Sequence, residues 1–294
     1  MKSYCKYIFT VWMLIFFYNC KENKSSNVIS ENIVPKSTEY FLYSNKTNNL
    51  ISAHRGGSGL KNYPENCLET MEYLYQKGVS VFEIDIAKTA DSQLILMHDN
   101  SLQRTSTGRQ DVDQINLQKI KEYYLVDDFG NETNYKIPTF EETLKWGKNK
   151  NLYFMVDIKK DVNYENLIEL IRNNNMQNQC VLVSYSLAQA EKLHRLAPEM
   201  MLSVSMRNER EFNEMIDSEI PTNRMVAFTG TKLSDKSLFN KIHQEDIMVI
   251  LGTLGNLDKQ AEARGNNIYK KYADLGVDIF ATDRPIEVLE TVNK

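Results

Sequence analysis

The chain has no surplus of positive charge: 35 lysines and arginines stand against 39 aspartates and glutamates, giving a net charge of −4 and a pI near 5.7. Binding to a phosphate backbone needs a basic stripe, so nucleic acid is set aside as a partner. Cysteine is also scarce. Cys5, Cys20, Cys67 and Cys180 form no CxxC pair, which leaves neither a disulfide framework nor a thiolate zinc site. No internal repeat is present, and no low-complexity stretch beyond a polar run at 21–45. There is no uninterrupted apolar run of the roughly 20 residues that a membrane-spanning helix requires. What remains is ordinary globular composition, 42% hydrophobic and 25% charged, with enough apolar surface for a sizeable core.

The N-terminus has a pattern of its own. Lys2 and Lys6 lead into a short apolar and aromatic run at 7–18, the layout of a signal peptide. Cys20 follows at once, and after it comes a polar stretch (KENKSSNVISEN) suited to a tether. This order resembles a bacterial lipoprotein, in which the cysteine after the apolar run carries lipid and becomes the new N-terminus. The resemblance implies lipidation at Cys20 and an exported protein anchored to a membrane on its periplasmic or cell-surface side; simple secretion is the alternative. The expected layout is a signal peptide at 1–19, a tether at 20–48 and one domain at 49–294. Cys67 and Cys180 are expected to be small apolar packers.

From Asn49 onward, short β-branched apolar runs alternate with longer amphipathic segments. Strands are expected at 50–54, 80–87, 152–158, 180–185, 201–205, 225–228, 247–251 and 277–281. Helices are expected at 66–78, 163–173, 187–196, 208–216, 235–243, 258–274 and 284–292. Alternation at this spacing implies an α/β fold with a parallel sheet, and eight units imply closure into a (β/α)8 TIM-type barrel. A doubly wound open sheet is the alternative. Residues 88–140, with a returning strand at 94–97, are too long for a βα loop and read as an insertion after the second strand.

In a barrel the inward-facing residues at the carboxyl ends of the strands form the active site. The first strand ends in His54-Arg55. The second reads VFEIDIAK, in which Glu83 and Asp85 are two apart and share one side of the strand. The third reads FMVDIKK, and Asp157 and Lys159 share a side by the same arithmetic. Three carboxylates brought together away from water need a positive partner. The oxygen ligands Glu83, Asp85 and Asp157 suit a hard cation, Ca²⁺ or Mg²⁺. Of the four histidines, His54 and His98 fall at this site and suggest a general acid and a general base, while His194 and His243 fall in expected helices and read as structural.

Six short motifs stand in one order: AHRG at 53–56, PEN at 64–66, EIDI at 83–86, MHD at 97–99, DIK at 157–159 and TDRP at 282–285. Together they resemble the glycerophosphodiester phosphodiesterase family over residues 49–294. That resemblance implies a TIM-type barrel that hydrolyses glycerophosphodiesters, small-molecule substrates, to glycerol 3-phosphate and an alcohol with a divalent metal. By the same resemblance His54 and His98 are the acid–base pair, Arg55 and Lys159 hold the phosphate, and Glu83, Asp85 and Asp157 ligate the metal. Glu65 would join the metal and substrate shell with Asn66 beside it, and Tyr185, in a serine-aromatic pattern after the fourth strand, would line the pocket. Two positions depart from the family: aspartate at 157 where glutamate is commoner, and Gly252-Thr253 after the seventh strand where a tryptophan often lines the pocket. Two other readings remain: a phospholipase D of the lysophospholipase D or sphingomyelinase D kind, and a lipoprotein that binds phosphodiesters without turning them over.

Overall fold

Eleven strands form where the apolar runs predict them or within the insertion, in a computed structural model that describes residues 34–293. They are β1 (Leu50–Ala53), β2 (Val81–Lys88), β3 (Leu94–Leu96), β4 (Tyr124–Val126), β5 (Glu132–Lys136), β6 (Tyr153–Ile158), β7 (Cys180–Val183), β8 (Met201–Ser205), β9 (Met225–Phe228), β10 (Val249–Gly252) and β11 (Ile279–Thr282). Eight of them run parallel in the order β1-β11-β10-β9-β8-β7-β6-β2, and β1 pairs again with β2 through Ser52–Val81 and Ala53–Phe82. The sheet is therefore closed, a (β/α)8 barrel without a free edge. The expected signal peptide and Cys20 lie outside the described residues.

The two-residue period of a strand sorts its side chains between two cores. Val81, Tyr153, Met155, Val181, Met201 and Ile279 pack inside the barrel, whereas Phe82, Ile84, Phe154, Val156, Leu182 and Phe280 pack outward against the helices. Glu83 and Asp85 share the parity of Val81, and Asp157 that of Tyr153 and Met155. The same alternation that fills the barrel below thus delivers three carboxylates to the axis at its carboxyl end. In the β2–β6 register Asp85 lies directly beside Asp157.

Residues 34–48, expected to be tether, are part of the domain. Their polar composition hides a cluster of apolar side chains that plugs the amino end of the barrel. Phe41 is 1% exposed and belongs to the interior core. The Tyr40 ring stacks on Tyr153 at 4.2 Å, and the Tyr153 hydroxyl donates to the Pro35 carbonyl at 2.8 Å. The expected helix at 258–274 is two helices, Asn256–Arg264 and Asn267–Leu275, because Gly265 takes a φ of +96° and ends the first. A helix absent from the sequence reading, Phe140–Gly147, makes the crossover into β6; its start carries a capping box between Thr139 and Glu142.

The insertion after β2 has its own small core of Ile95, Met97, Leu102, Val112, Ile120 and Leu125. Strand β3 returns antiparallel along β2, and β4 and β5 form a hairpin. Asp127 and Asp128 in that hairpin accept from the backbone N–H groups of Asn62 and Gly59, both at 2.6 Å. The insertion is thereby tied to the loop that follows β1, at the mouth of the barrel.

If residues 34–48 are structural, Phe41→Ala should cost about 3–5 kcal/mol, the usual range for emptying a phenylalanine site in a core. Urea denaturation would show this, while turnover per folded molecule should be unchanged, since Phe41 lies at the end opposite the site. A loss below about 1 kcal/mol, the size of an ordinary surface substitution, would mean that the segment merely lies against the barrel.

Candidate active site

The chain turns sharply as it leaves β1. Arg55 sits in the left-handed region (φ 51°, ψ 38°), which costs a non-glycine residue roughly 1–2 kcal/mol. Two backbone bonds hold it there: its N–H donates to Glu83 Oε2 at 2.7 Å, and its carbonyl accepts from the Asn66 N–H at 2.6 Å. Gly57 follows with a φ of +123°, and a Cβ there would stand 2.6 Å from Leu74 Cδ1. The glycine lets the loop lie flat on the helix Leu68–Gln76. Asn66 then closes the loop, since its Nδ2 donates to Asp85 Oδ2 at 2.8 Å and its Oδ1 accepts from the Asp85 N–H at 3.1 Å.

Glu83, Asp85 and Asp157 each bring an oxygen within 4.8 Å of the others. Lys159 Nζ donates to Asp85 Oδ1 at 2.6 Å and to Asp157 Oδ2 at 2.7 Å. The Tyr185 hydroxyl donates to Asp157 Oδ1 at 2.9 Å. Burial works against the Asp85 carboxylate, yet the Lys159 charge and the bonds from Lys159 and Asn66 outweigh it and hold its pKa below the usual value. Glu83 has no such cation. Burial first, and then the Asp85 and Asp157 charges, push its carboxyl up to about 8. An all-oxygen set in which one member lacks a positive partner is what a hard divalent cation fits, and Glu83, Asp85 and Asp157 are the residues to hold it.

Both histidines near this cluster are backed by a carboxylate. His54 Nδ1 lies 2.7 Å from Asp283 Oδ1, which also accepts from Ser58 Oγ at 2.6 Å. Burial lowers the His54 pKa, but the Asp283 bond and the Glu83 charge outweigh it and the net shift is upward. His98 Nδ1 lies 2.7 Å from Asp99 Oδ1, and its Nε2 lies 2.9 Å from Arg55 Nη2. A guanidinium can only donate, so His98 Nε2 accepts and the ring carries its proton on Nδ1. Asp99 is held down to about 2, chiefly by the hydrogen bond from Arg104.

His54, His98, Glu83, Asp85, Asp157 and Tyr185 line one cleft of about 210 Å³, whose far wall is Val183, Phe228, Ile250 and Leu254. Arg55 and Lys159 border the same groups through the bonds just given. Glu65 does not join the carboxylate cluster: it is 2% exposed and accepts from Arg55 Nη1 at 3.1 Å and from both ends of the Arg104 fork at 2.9 and 2.8 Å. His243 lies elsewhere, stacked on Tyr43 and 2.8 Å from Asp278. A larger cleft of about 510 Å³ opens between residues 45–51 and the helix Pro285–Val292, but it gathers no histidine and no group of carboxylates.

Sequence reasoning missed the roles of Asp99, Asp283 and Arg104. The first two lie inside quoted motifs, MHD and TDRP, so the signal was present without its meaning. Arg104, in the insertion, gave no signal at all.

Residues 54–287 match the glycerophosphoryl diester phosphodiesterase family. A glycerophosphodiester phosphodiesterase of Caldanaerobacter subterraneus is 27% identical over 161 residues, a match that covers 53% of this chain and 65% of that protein. One from Bacillus altitudinis is 26% identical over 242 residues, 80% of this chain and 94% of its relative. The crystal structure of a glycerophosphoryl diester phosphodiesterase from Parabacteroides distasonis superimposes with a TM-score of 0.79 at 31% identity, covering 87% of this chain and 90% of that one. With four-fifths of its length matched and its barrel shared, the chain belongs to the glycerophosphoryl diester phosphodiesterase family.

Proposed function

We propose that the protein hydrolyses glycerophosphodiesters to glycerol 3-phosphate and an alcohol, with Mg²⁺ or Ca²⁺ held by Glu83, Asp85 and Asp157. One observation carries this reading: three carboxylates meet within 4.8 Å in the same cleft as two histidines, each of them backed by its own carboxylate. Bound there, a divalent cation supplies positive charge to the non-bridging phosphate oxygens and relieves the repulsion felt by Glu83. The Arg55 fork and the Lys159 ammonium offer the phosphate further charge. A phosphate that takes the Arg55 Nη2 donor for itself frees the His98 Nε2 lone pair, while Nη1 stays on Glu65. Asp283 and Asp99 hold the Nδ1 protons of the two rings and leave each Nε2 for proton exchange. One ring takes the proton of the attacking hydroxyl, from water or from the glycerol hydroxyl beside the ester, and the other protonates the leaving alcohol.

The cleft, about 210 Å³, is smaller than the ~300–1,000 Å³ usual for drug-sized ligands. That size favours a deacylated headgroup over an intact lipid, and so favours this reading over a phospholipase D. A protein that only captured phosphodiesters would need the cations but not two carboxylate-backed histidines. Export and a lipid on Cys20 are part of the proposal on the strength of the order apolar run, cysteine, polar tether. Among the described residues no helix is long and apolar enough to cross a membrane.

Incubation with glycerophosphocholine and, separately, lysophosphatidylcholine should release glycerol 3-phosphate from the first, and EDTA should stop it. His54→Ala and His98→Ala should each lower turnover by about 10²–10⁴-fold, the range for losing a general acid or base, while His194→Ala leaves it intact. Hydrolysis of lysophosphatidylcholine alone would sink the reading in favour of a phospholipase D.

Metal binding should also be visible without turnover. At a hundred times the dissociation constant the cation should stabilise the fold by roughly 2.7 kcal/mol, read as a rise in melting temperature. Asp157→Asn should shrink that rise. If the full rise survives in this variant, Asp157 is not a ligand.

Cys20→Ser should move the protein from the membrane fraction to the soluble one. A wild-type protein already soluble outside the cytoplasm would end the lipid-anchor reading.

A further inference from the structure

Arg104 stands on the insertion between β3 and β4, at the rim of the cleft, with a side chain 41% exposed, yet its guanidinium is bound along two edges. Its Nε donates to Asp99 Oδ2 at 2.6 Å, and its Nη1 and Nη2 donate to the two oxygens of Glu65 at 2.9 and 2.8 Å. Each of these carboxylates holds a group of the site. Asp99 Oδ1 takes the Nδ1 proton of His98, and Glu65 takes Arg55 Nη1. The two groups so held then meet, Arg55 Nη2 against His98 Nε2 at 2.9 Å. His98, Asp99, Arg104, Glu65 and Arg55 therefore form a closed ring of hydrogen bonds, in which none of the five can turn without breaking a bond on each side. Glu65 already has one guanidinium in Arg55, so neutralising its charge does not call for a second. What Arg104 adds is a planar link of fixed angle between two carboxylates, which a flexible lysine ammonium cannot reproduce.

We propose that Arg104 is a positioning residue: by bridging Asp99 and Glu65 it fixes the His98 ring and the Arg55 fork in one arrangement. The roles of those two groups rest on the hydrolase reading above; the bridge itself does not. Through it the insertion sets the geometry of proton transfer and of phosphate binding together.

The test uses the purified protein with Arg104→Ala, Arg104→Lys, Asp99→Asn and the combined Arg104→Ala/Asp99→Asn change. Turnover of glycerophosphocholine, melting temperature and the imidazole ¹⁵N shifts of His98 are measured for each. Arg104→Ala should lower kcat by about 10²-fold, the cost of misplacing a reacting group by about an ångström, and should shift the His98 nitrogens. Arg104→Lys should recover much of the melting temperature but little of kcat, since a point charge does not bridge both carboxylates. The combined variant should lose less than the two single losses together, because both act through one ring. Wild-type kcat and unmoved His98 shifts in Arg104→Ala, with only the melting temperature lowered, would make Arg104 a structural tie and overturn the proposal; full additivity would overturn it too. Should the wild type release no glycerol 3-phosphate, the hydrolase reading falls, and the proposal is then decided by the His98 shifts of Arg104→Ala, which need no substrate.

Discussion

Repulsion among Glu83, Asp85 and Asp157 is the constraint around which the carboxyl end of the barrel is arranged. Strand parity turns all three toward the axis, and the parallel register of β2 and β6 puts Asp85 beside Asp157, so no local adjustment separates them. Out of bulk water, like charges at such spacing raise one another's pKa and weaken the fold. The neighbours answer this in turn: Lys159 reaches two of the three, Asn66 gives Asp85 a donor, Tyr185 gives one to Asp157, and the Arg55 backbone gives one to Glu83. Glu83 is left with the weakest compensation, and burial together with the neighbouring carboxylates pushes its carboxyl up to about 8. The least compensated of the three carboxylates is thus the one at which the proposed cation would add most.

The loops after β1 follow from the same constraint. For the Arg55 N–H to reach Glu83, the backbone must enter the left-handed region; Asn66, at φ 51°, does the same so that its amide can face Asp85. Two non-glycine residues in that region are a local cost, offset by the hydrogen bonds to Glu83 and Asp85 and by the bond between the two backbones, Asn66 N–H to the Arg55 carbonyl. The motifs AHRG and PEN are therefore one device, two halves of a backbone clasp on the acidic cluster.

Much of this was legible in the sequence because it depends on short periods. Alternation within VFEIDIAK and YFMVDI fixes which side chains face the axis, and eight such runs imply closure, so the barrel and its acidic mouth could be read from spacing alone. What escaped depends on partners distant in the chain or on a few residues in a misleading context. His54 and Asp283 are 229 residues apart, and neither spacing nor composition announces their bond. Phe41 and Tyr40 sit in a polar stretch whose average suggests a tether, although two rings are enough to seal the barrel floor. Gly265 breaks a helix within a continuous amphipathic pattern because backbone conformation there overrides periodicity. Glu65 reads as another carboxylate for the cluster until the two arginines that claim it are seen together.

The site also divides by origin. His54 is held from the barrel: Asp283 follows β11, and its own N–H donates at 2.9 Å to the buried Asp258 in the helix Asn256–Arg264, which follows β10. His98 is held from the insertion, by Asp99 and Arg104. Each histidine thus has a separate support, built from a different part of the chain, and a change in one support need not disturb the other. The two halves meet at Arg55, whose backbone N–H is bound to the barrel's Glu83 while its fork faces Glu65 and the insertion's His98. A residue that must satisfy both halves at once has little conformational freedom, which is why the turn after β1 keeps an arginine in the left-handed region at 55 before Gly56 and Gly57 continue it.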